Sequence, residues 1–228
     1  MAEEMLRTES LVRVFGQGER AVSALGGVSL SINKGGLTIL NGKSGSGKTT
    51  LLNLLSALDT PTSGKVWFEG KELSDLPIRE RDDLRRTRMG IVFQSVALMS
   101  SMTALENVEF GLRVAGVPAK GRRERAEECL EYVGLLKRAS HLPQEMSGGE
   151  QQRVAIARAI AHRPAVIFAD EPTAQLDSRL GLQVVSVFKK LIAEQGATIV
   201  MTTHDPDLLQ IADYVCTLKD GKLIEGGQ

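Results

Sequence analysis

The run Gly42-Lys43-Ser44-Gly45-Ser46-Gly47-Lys48-Thr49 follows the pattern G-x-x-x-x-G-K-[ST]. Its glycines let successive backbone N–H groups turn inward and form a nest for an anion. The apolar stretch Leu37–Leu40 before it reads as a strand, and the Leu-rich stretch Leu51–Leu58 after it reads as a buried helix. The positive end of that helix dipole would add to the nest, so phosphate is bound by backbone as much as by side chain. At this spacing Lys48 would reach the β- and γ-phosphates of a nucleotide, and the Thr49 hydroxyl would sit on Mg²⁺. The plainer reading, a glycine-rich turn, does not explain the strand–loop–helix context.

Such a loop needs a second anchor for the metal and a group to activate water. Asp170 and Glu171, at the end of the apolar run Val166–Ala169, are candidates for both. Adjacent strand residues point opposite ways, so Asp170 would hold the metal, directly or through water, while Glu171 faces the γ-phosphate as general base. Ser147-Gly148-Gly149-Glu150 reads first as a capping box ahead of a helix. Capping does not explain two successive glycines, which weaken a first turn, whereas close phosphate approach requires them. His204 follows the strand Thr198–Met201 and the pair Thr202-Thr203, and Asp205-Pro206 then reads as an N-cap and first helical position. That place, beyond the carboxyl end of a parallel strand, is where ligands bind in open α/β sheets. Gln94, after Ile91–Phe93, stands at the equivalent place and could orient water or metal. Phe15 reads equally as core and as a base-stacking platform. His141 and His162 lack such context and read as structural, and Cys129 and Cys216 as buried reduced thiols.

The elements that must position these groups follow from periodicity. Strand-like runs occur at Leu11–Phe15, Val28–Ile32, Leu37–Leu40, Val66–Phe68, Ile91–Phe93, Val166–Ala169 and Thr198–Met201. Ile78 to Arg88 is charged and reads as a surface helix. From Thr103 to about Arg138 the pattern is helical, with a solvated face at Arg122–Glu128. Val184, Phe188 and Leu191 mark the buried face of a later helix. Strands alternating with helices imply a parallel sheet covered on both sides, interrupted by a helical insertion.

Composition excludes several classes. The 228 residues are 42% hydrophobic and 25% charged, an ordinary globular balance. Lys+Arg and Asp+Glu are 28 each, so no global positive field recruits nucleic acid or an acidic membrane. Aromatic residues at 4% disfavour a base-stacking surface. No run approaches the ~18 apolar residues of a membrane span. The acidic start Met1–Glu4 lacks the apolar run of a signal peptide. A cytosolic chain is expected, so action at a membrane would need another chain.

In motif order the chain resembles the nucleotide-binding subunit of ATP-binding cassette (ABC) transporters. The phosphate-binding loop is followed by a glutamine loop (Gln94), a signature (Met146–Glu150), the aspartate–glutamate strand, an aspartate loop (Ala174–Asp177) and a histidine loop (His204). The likeness runs from Leu6 to Glu225. The stretches Leu58–Gly64 and Thr103–Val108 resemble the branch of lipoprotein-release, macrolide-efflux, peptide-export and cell-division ATPases. The resemblance implies an α/β P-loop NTPase core with a parallel sheet, an N-terminal antiparallel β subdomain and an inserted α-helical subdomain. One domain would span 1–228, with a RecA-like core at about 1–94 and 160–228 and helices at about 95–159.

It further implies ATP and Mg²⁺ as ligands. Lys48, Gln94, Glu171 and His204 would be catalytic. Thr49, Gln94 and Asp170 would hold the metal. Nucleotide contacts would come from Phe15, at the position of the adenine-stacking aromatic, and from Gly42, Lys43, Ser44, Gly45, Ser46, Gly47, Lys48, Thr49 and Thr50. Ser147, Gly148, Gly149 and Glu150 would meet the nucleotide of a second ATP-binding subunit, and Asp177 would contact that subunit across the interface. Other partners would be an integral membrane permease, whose coupling helix meets the region around Gln94, and a periplasmic or extracellular adaptor, with no nucleic acid. The location implied is the cytoplasmic face of the cell membrane. Met146 and Glu150 replace the usual Leu and Gln, Lys43 stands where Pro is common, Ala174-Gln175 replaces a Gly-Asn pair, and Gly36 stands where Glu is frequent. The alternative within the family is a regulatory ATPase acting on an envelope enzyme through a non-transporting membrane partner. A soluble ABC ATPase of DNA or ribosomes is disfavoured by the single cassette and zero net charge. A P-loop kinase leaves Ser147–Glu150 and His204 unexplained.

Overall fold

The computed structural model describes residues 3–174 and 176–225. Two sheets organise them. β1 (Glu4–Phe15) and β2 (Val22–Asn33) pair antiparallel. β4 (Ser63–Phe68) and β5 (Lys71–Glu72) extend them into the order β2-β1-β4-β5. The second sheet follows the order β10-β9-β3-β8-β7-β6. Its strands are β3 (Gly36–Asn41), β6 (Met89–Val92), β7 (Val166–Ala169), β8 (Thr198–Thr203), β9 (Tyr214–Lys219) and β10 (Lys222–Glu225). All neighbours pair parallel except the β9–β10 hairpin.

The helices are α1 (Lys48–Leu55), α2 (Ile78–Arg88), α3 (Ala104–Val114), α4 (Arg122–Tyr132), α5 (Gly148–Ile160), α6 (Ser178–Gln195) and α7 (Pro206–Leu209). Alternation along the central strands divides the interior into two cores. Ile39, Ile167, Ala169, Ile199 and Met201 face a core shared with α3, α4, α5 and α6. Leu40, Val166, Phe168 and Val200 face a core shared with α1 and the antiparallel sheet. Burial on both faces is why these strands read as continuous apolar runs. The α/β core, N-terminal antiparallel sheet and helical block match the architecture expected.

Some edges differ from the sequence reading. β6 ends at Val92 and Phe93 is exposed, so the third apolar residue of that run points out of the core. α1 stops at Leu55, and Ala57 takes a left-handed conformation (φ 56°) that leaves Leu58 exposed. The sequence pattern does not mark β5, β9 or β10. In β9 only Cys216 and Leu218 are buried, beside half-buried Val215 and Thr217, too short an alternation to stand out. Gly36 gains an explanation. Its φ is 89°, and the Leu37 amide donates to Asp213 Oδ2 at 2.7 Å. A Cβ on Gly36 would lie 3.0 Å from that oxygen.

Candidate active site

The phosphate-binding loop connects β3 to α1 beneath the β9–β10 hairpin. Gly42 has φ 149°, and a Cβ there would lie 2.4 Å from the Leu218 carbonyl and 2.5 Å from Ser46 Oγ. Gly47 has φ 104°, with the Ala24 carbonyl 2.7 Å from any added Cβ. Only glycine fits at both places. The Ser46 amide donates to the Lys43 carbonyl, which closes the loop. Lys48 is buried (5% exposed), and its ammonium donates to the carbonyls of Gly42 (2.7 Å) and Lys43 (3.2 Å). The amides of Lys48, Thr49 and Thr50 open α1 and have no i−4 carbonyl inside it. Ser46 Oγ is buried without a hydrogen-bond partner. A cavity of about 600 Å³ lies over the loop, bordered by Lys43, Ser44, Gly45, His204 and Asp220. Free amides, an unpaired hydroxyl and a buried ammonium gathered in one loop are a donor set suited to a polyphosphate.

The carboxylates stand at the carboxyl end of β7. The Asp170 amide donates to the Val92 carbonyl at 2.9 Å, which carries the sheet pairing one residue further. Asp170 Oδ1 accepts from Thr49 Oγ1 (3.1 Å) and from Thr202 Oγ1 (2.7 Å). Glu171 then turns into a left-handed conformation (φ 40°), fixed by its amide donating to Thr202 Oγ1 at 2.8 Å. That turn brings Glu171 Oε1 to 3.7 Å from Lys48 Nζ and 3.5 Å from His204 Nδ1. Lys48, Thr49, Asp170, Glu171 and His204 therefore converge from three separate segments.

The sequence does not mark Thr202 as a site residue, since β8 buries three threonines, Thr198, Thr202 and Thr203, alike. For a metal, the hydroxyl–carboxylate pair Thr49–Asp170 supplies hard oxygen donors. Among the described residues no group of three or more His, Cys, Asp and Glu could hold a metal ion by itself. A Mg²⁺ here fits as a phosphate-bound ion that keeps several waters, the mode it commonly adopts.

The remaining candidates lie elsewhere. Gln94 is exposed just past the end of β6, at the same end of the sheet as Asp170. Phe15 ends β1, 43% exposed, with the Arg13 guanidinium 4.4 Å from its ring centre. Arg13 is held by both carboxylate oxygens of Asp59 at 2.8 and 2.9 Å. Ser147 to Glu150 form the expected capping box at the start of α5. Gly148 and Gly149 pack against Leu176 and Leu180, where a Cβ would come within 3.6 and 3.1 Å. This segment does not line the cavity over the phosphate-binding loop. Asp177 caps α6, accepting from the Leu180 amide at 2.9 Å. Gln175 of the same loop lies outside the described residues.

The sequence pattern of the family described as ABC transporter matches residues 25–174. An ABC transporter ATP-binding protein of Methanocaldococcus jannaschii is 44% identical over 221 residues, covering 97% of this chain and 98% of its own. The macrolide export ATP-binding/permease protein MacB of Bartonella henselae is 42% identical over 223 residues. The match covers 98% of this chain but 34% of MacB, so the chain spans about a third of that relative. A solved dimeric structure of the ATP-binding cassette MJ0796, in a post-hydrolysis state bound to ADP and Pi, superposes with a TM-score of 0.90. Its identity is 39%, with 98% of both chains covered. Among the described residues no helix is long and apolar enough to cross a membrane. A pattern spanning more than half of the chain and relatives aligned over nearly their whole length agree: the chain belongs to the ABC transporter family.

Proposed function

We propose that this chain is the ATP-hydrolysing motor subunit of an ABC transporter, closing with a second copy around two ATP and driving a separate membrane permease in export or mechanotransmission. The observation that carries the reading is the convergence of Lys48 and His204 on the Glu171 carboxylate, at 3.7 and 3.5 Å, beside the phosphate-binding loop. The dimeric MJ0796 cassette with ADP and Pi supports hydrolysis and dimerisation. MacB, named as both ATP-binding protein and permease, supports a membrane partner.

The chain's residues divide the work. Amides of Gly45 and of Gly47 to Thr50 and the Lys48 ammonium hold the β- and γ-phosphates, and Phe15 stacks on the adenine. Glu171 accepts a proton from water as the water oxygen attacks the γ-phosphorus. The bond to the bridging oxygen then breaks, yielding ADP and phosphate. His204, 3.5 Å from Glu171, orients that carboxylate and meets the γ-phosphate. Thr49, Asp170 and Gln94 would hold a Mg²⁺, which would supply neutralisation of phosphate charge. Ser147, Gly148, Gly149 and Glu150 present the start of α5 to the nucleotide of the second copy, and Asp177 contacts that copy. The apolar cleft of about 550 Å³ between α2, β6 and α3, with Leu58, Phe93, Met99 and Val114 exposed, takes a helix of the permease. The chain would then sit at the cytoplasmic face of the membrane through that contact.

The test is ATP turnover together with Glu171→Gln. The variant keeps shape and metal binding but removes the base, so ATP should bind while turnover falls by roughly 10²-fold or more. It should also elute as a dimer in Mg²⁺-ATP. Turnover near that of the natural chain in this variant would overturn Glu171 as base.

A further inference from the structure

The start of α5 carries a carboxylate at the place the proposed function assigns to a phosphate. Glu150 Oε2 accepts from the Ser147 amide (2.8 Å) and the Ser147 hydroxyl (3.0 Å), so the group lies across the helix start. The Ser147 amide holds its carboxyl below the usual glutamate range, with the Ser147 hydroxyl, Arg138 and Arg153 adding to the effect. It is therefore ionised at neutral pH. A helix start stabilises one anion well. A γ-phosphate brought to the same end would meet the Glu150 charge in an interface that excludes water, where screening is weak.

The structure supplies a compensating charge. Arg138 ends the short helical turn Leu136–Arg138 after α4, and its Nε lies 3.3 Å from Glu150 Oε1. That guanidinium is itself held in place. One Nη donates to His141 Nε2 at 2.9 Å. The His141 amide donates to the Arg138 carbonyl, and the His141 carbonyl accepts from the Ala104 amide at the start of α3. Arg138 is thus fixed to the helical block, between the His141 ring and the Glu150 carboxylate.

We propose that Arg138 is a positioning residue for ATP hydrolysis: it neutralises and orients the Glu150 carboxylate so that the start of α5 can accept the γ-phosphate of an ATP held by a second copy. This rests on the assignment of Ser147–Glu150 to the partner's nucleotide.

The experiment titrates ATP in two formats, steady-state turnover and dimer formation in the Glu171→Gln background. Arg138→Gln removes the cation paired with Glu150 and leaves only Arg153 to offset its charge. It should raise both KM and the ATP concentration for half-maximal dimer by roughly tenfold, with kcat little changed. Arg138→Lys keeps the charge and should recover most of the loss. Adding Glu150→Gln to Arg138→Gln removes the repelling group and should restore KM to within about threefold of the natural chain. A role confined to holding the turn against α5 predicts a lower melting temperature and no recovery. Direct contact of Arg138 with phosphate also predicts no rescue by Glu150→Gln. Either failure of rescue overturns the proposal, as does an Arg138→Gln KM within twofold of the natural chain. Should Arg138→Gln fold poorly, Arg138→Met takes its place, and its recovery by Arg138→Lys and by added Glu150→Gln is read in the same two formats, with absence of recovery overturning the proposal. A separate control mixes Lys48→Ala with Gly149→Asp subunits, where one composite site of the mixed dimer carries neither lesion. Recovered activity there with no Arg138 rescue sinks the inference alone, while no recovery in proven heterodimers sinks the underlying assignment and the inference with it.

Discussion

The Lys48 ammonium stands 3.7 Å from the Glu171 carboxylate, across the gap between the start of α1 and the end of β7. Lys48 is buried, and its other acceptors are two carbonyls of its own loop. The proposed phosphate ligand and the proposed base are therefore electrostatic neighbours, so a phosphate entering between them meets both. Glu171 reaches this place only through a left-handed backbone conformation, unusual for a residue with a side chain.

Removing the ammonium should therefore act on nucleotide binding first. Lys48→Ala deletes a desolvated, charge-assisted contact to phosphate, and ATP affinity should fall by at least about tenfold. Equilibrium binding of a fluorescent ATP analogue reads this directly, and an affinity within twofold of the natural chain would contradict the phosphate-binding role.

Thr202 should behave differently. Its hydroxyl donates to Asp170 and accepts from the Glu171 amide, so it fixes both carboxylates without touching the cavity. Thr202→Val preserves shape but leaves that amide unpaired in a buried place, at a cost of about 1–3 kcal/mol. Chemical denaturation should show the loss, and kcat should drop roughly tenfold or more while KM moves little. Thr202→Ser should recover both. A kcat unchanged in Thr202→Val would mean the two carboxylates hold their places unaided.

The loop glycines are not equivalent. At Gly42 a methyl group would overlap the Leu218 carbonyl, whereas nothing lies within 4 Å of a Cβ at Gly45. Both have positive φ, so each alanine pays the left-handed backbone penalty of about 1 kcal/mol. Gly42→Ala should destabilise well beyond that and Gly45→Ala no further. Equal melting temperatures for the two variants would refute the steric argument.

How much of this was legible depends on locality. The phosphate-binding loop and the acid pair Asp170-Glu171 could be read because each is a contiguous run whose flanks announce a strand end. The capping box at Ser147–Glu150 was legible for the same reason, and the structure forms it. Thr202 was not, because its role depends on β8 lying beside β7, and nothing in Thr198–Thr203 distinguishes one threonine from its neighbours. Gly36 is explained only by Asp213, far along the chain, which packs against it. Arg138 and Glu150 are likewise brought together by packing of the helical block, which spacing does not disclose.

Acid should weaken the helix starts. The carboxyls of Glu106 and Glu150 are held low, each chiefly by the amide of its own N-cap residue, Thr103 and Ser147. A group with a depressed folded pKa contributes stability above its unfolded value, about 4.3 for glutamate, and loses it as pH falls through the folded one. The melting temperature should therefore fall as pH drops below that value, and Glu106→Gln with Glu150→Gln should flatten the slope. A slope identical in the double variant would exclude these caps as a source of acid sensitivity.

The last expectation concerns the segment after Gln94. Val96 and Ala97 both have positive φ, 59° and 50°, and Val96 is β-branched, which makes that conformation harder to hold. Their carbonyls accept from Arg158 Nη2 (3.1 Å) and Nη1 (2.6 Å). Arg158 lies on α5, whose start is the Ser147–Glu150 segment, and burial pushes its pKa down. A Cβ on Gly111 of α3 would come within 2.8 Å of its Cγ, so the side chain threads between helices to reach the strained turn. Arg158→Ala should release that turn and cost about 1.5–3 kcal/mol for the charged hydrogen bonds lost. Gln94 would then be less well held, so kcat should fall while KM changes little. Val96→Gly accepts positive φ without strain, and adding it to Arg158→Ala should return part of the stability. Stability recovered without kcat would mean that Arg158 places Gln94 as well as relieving strain. A kcat untouched in Arg158→Ala, despite a lower melting temperature, would reduce Arg158 to a structural clamp.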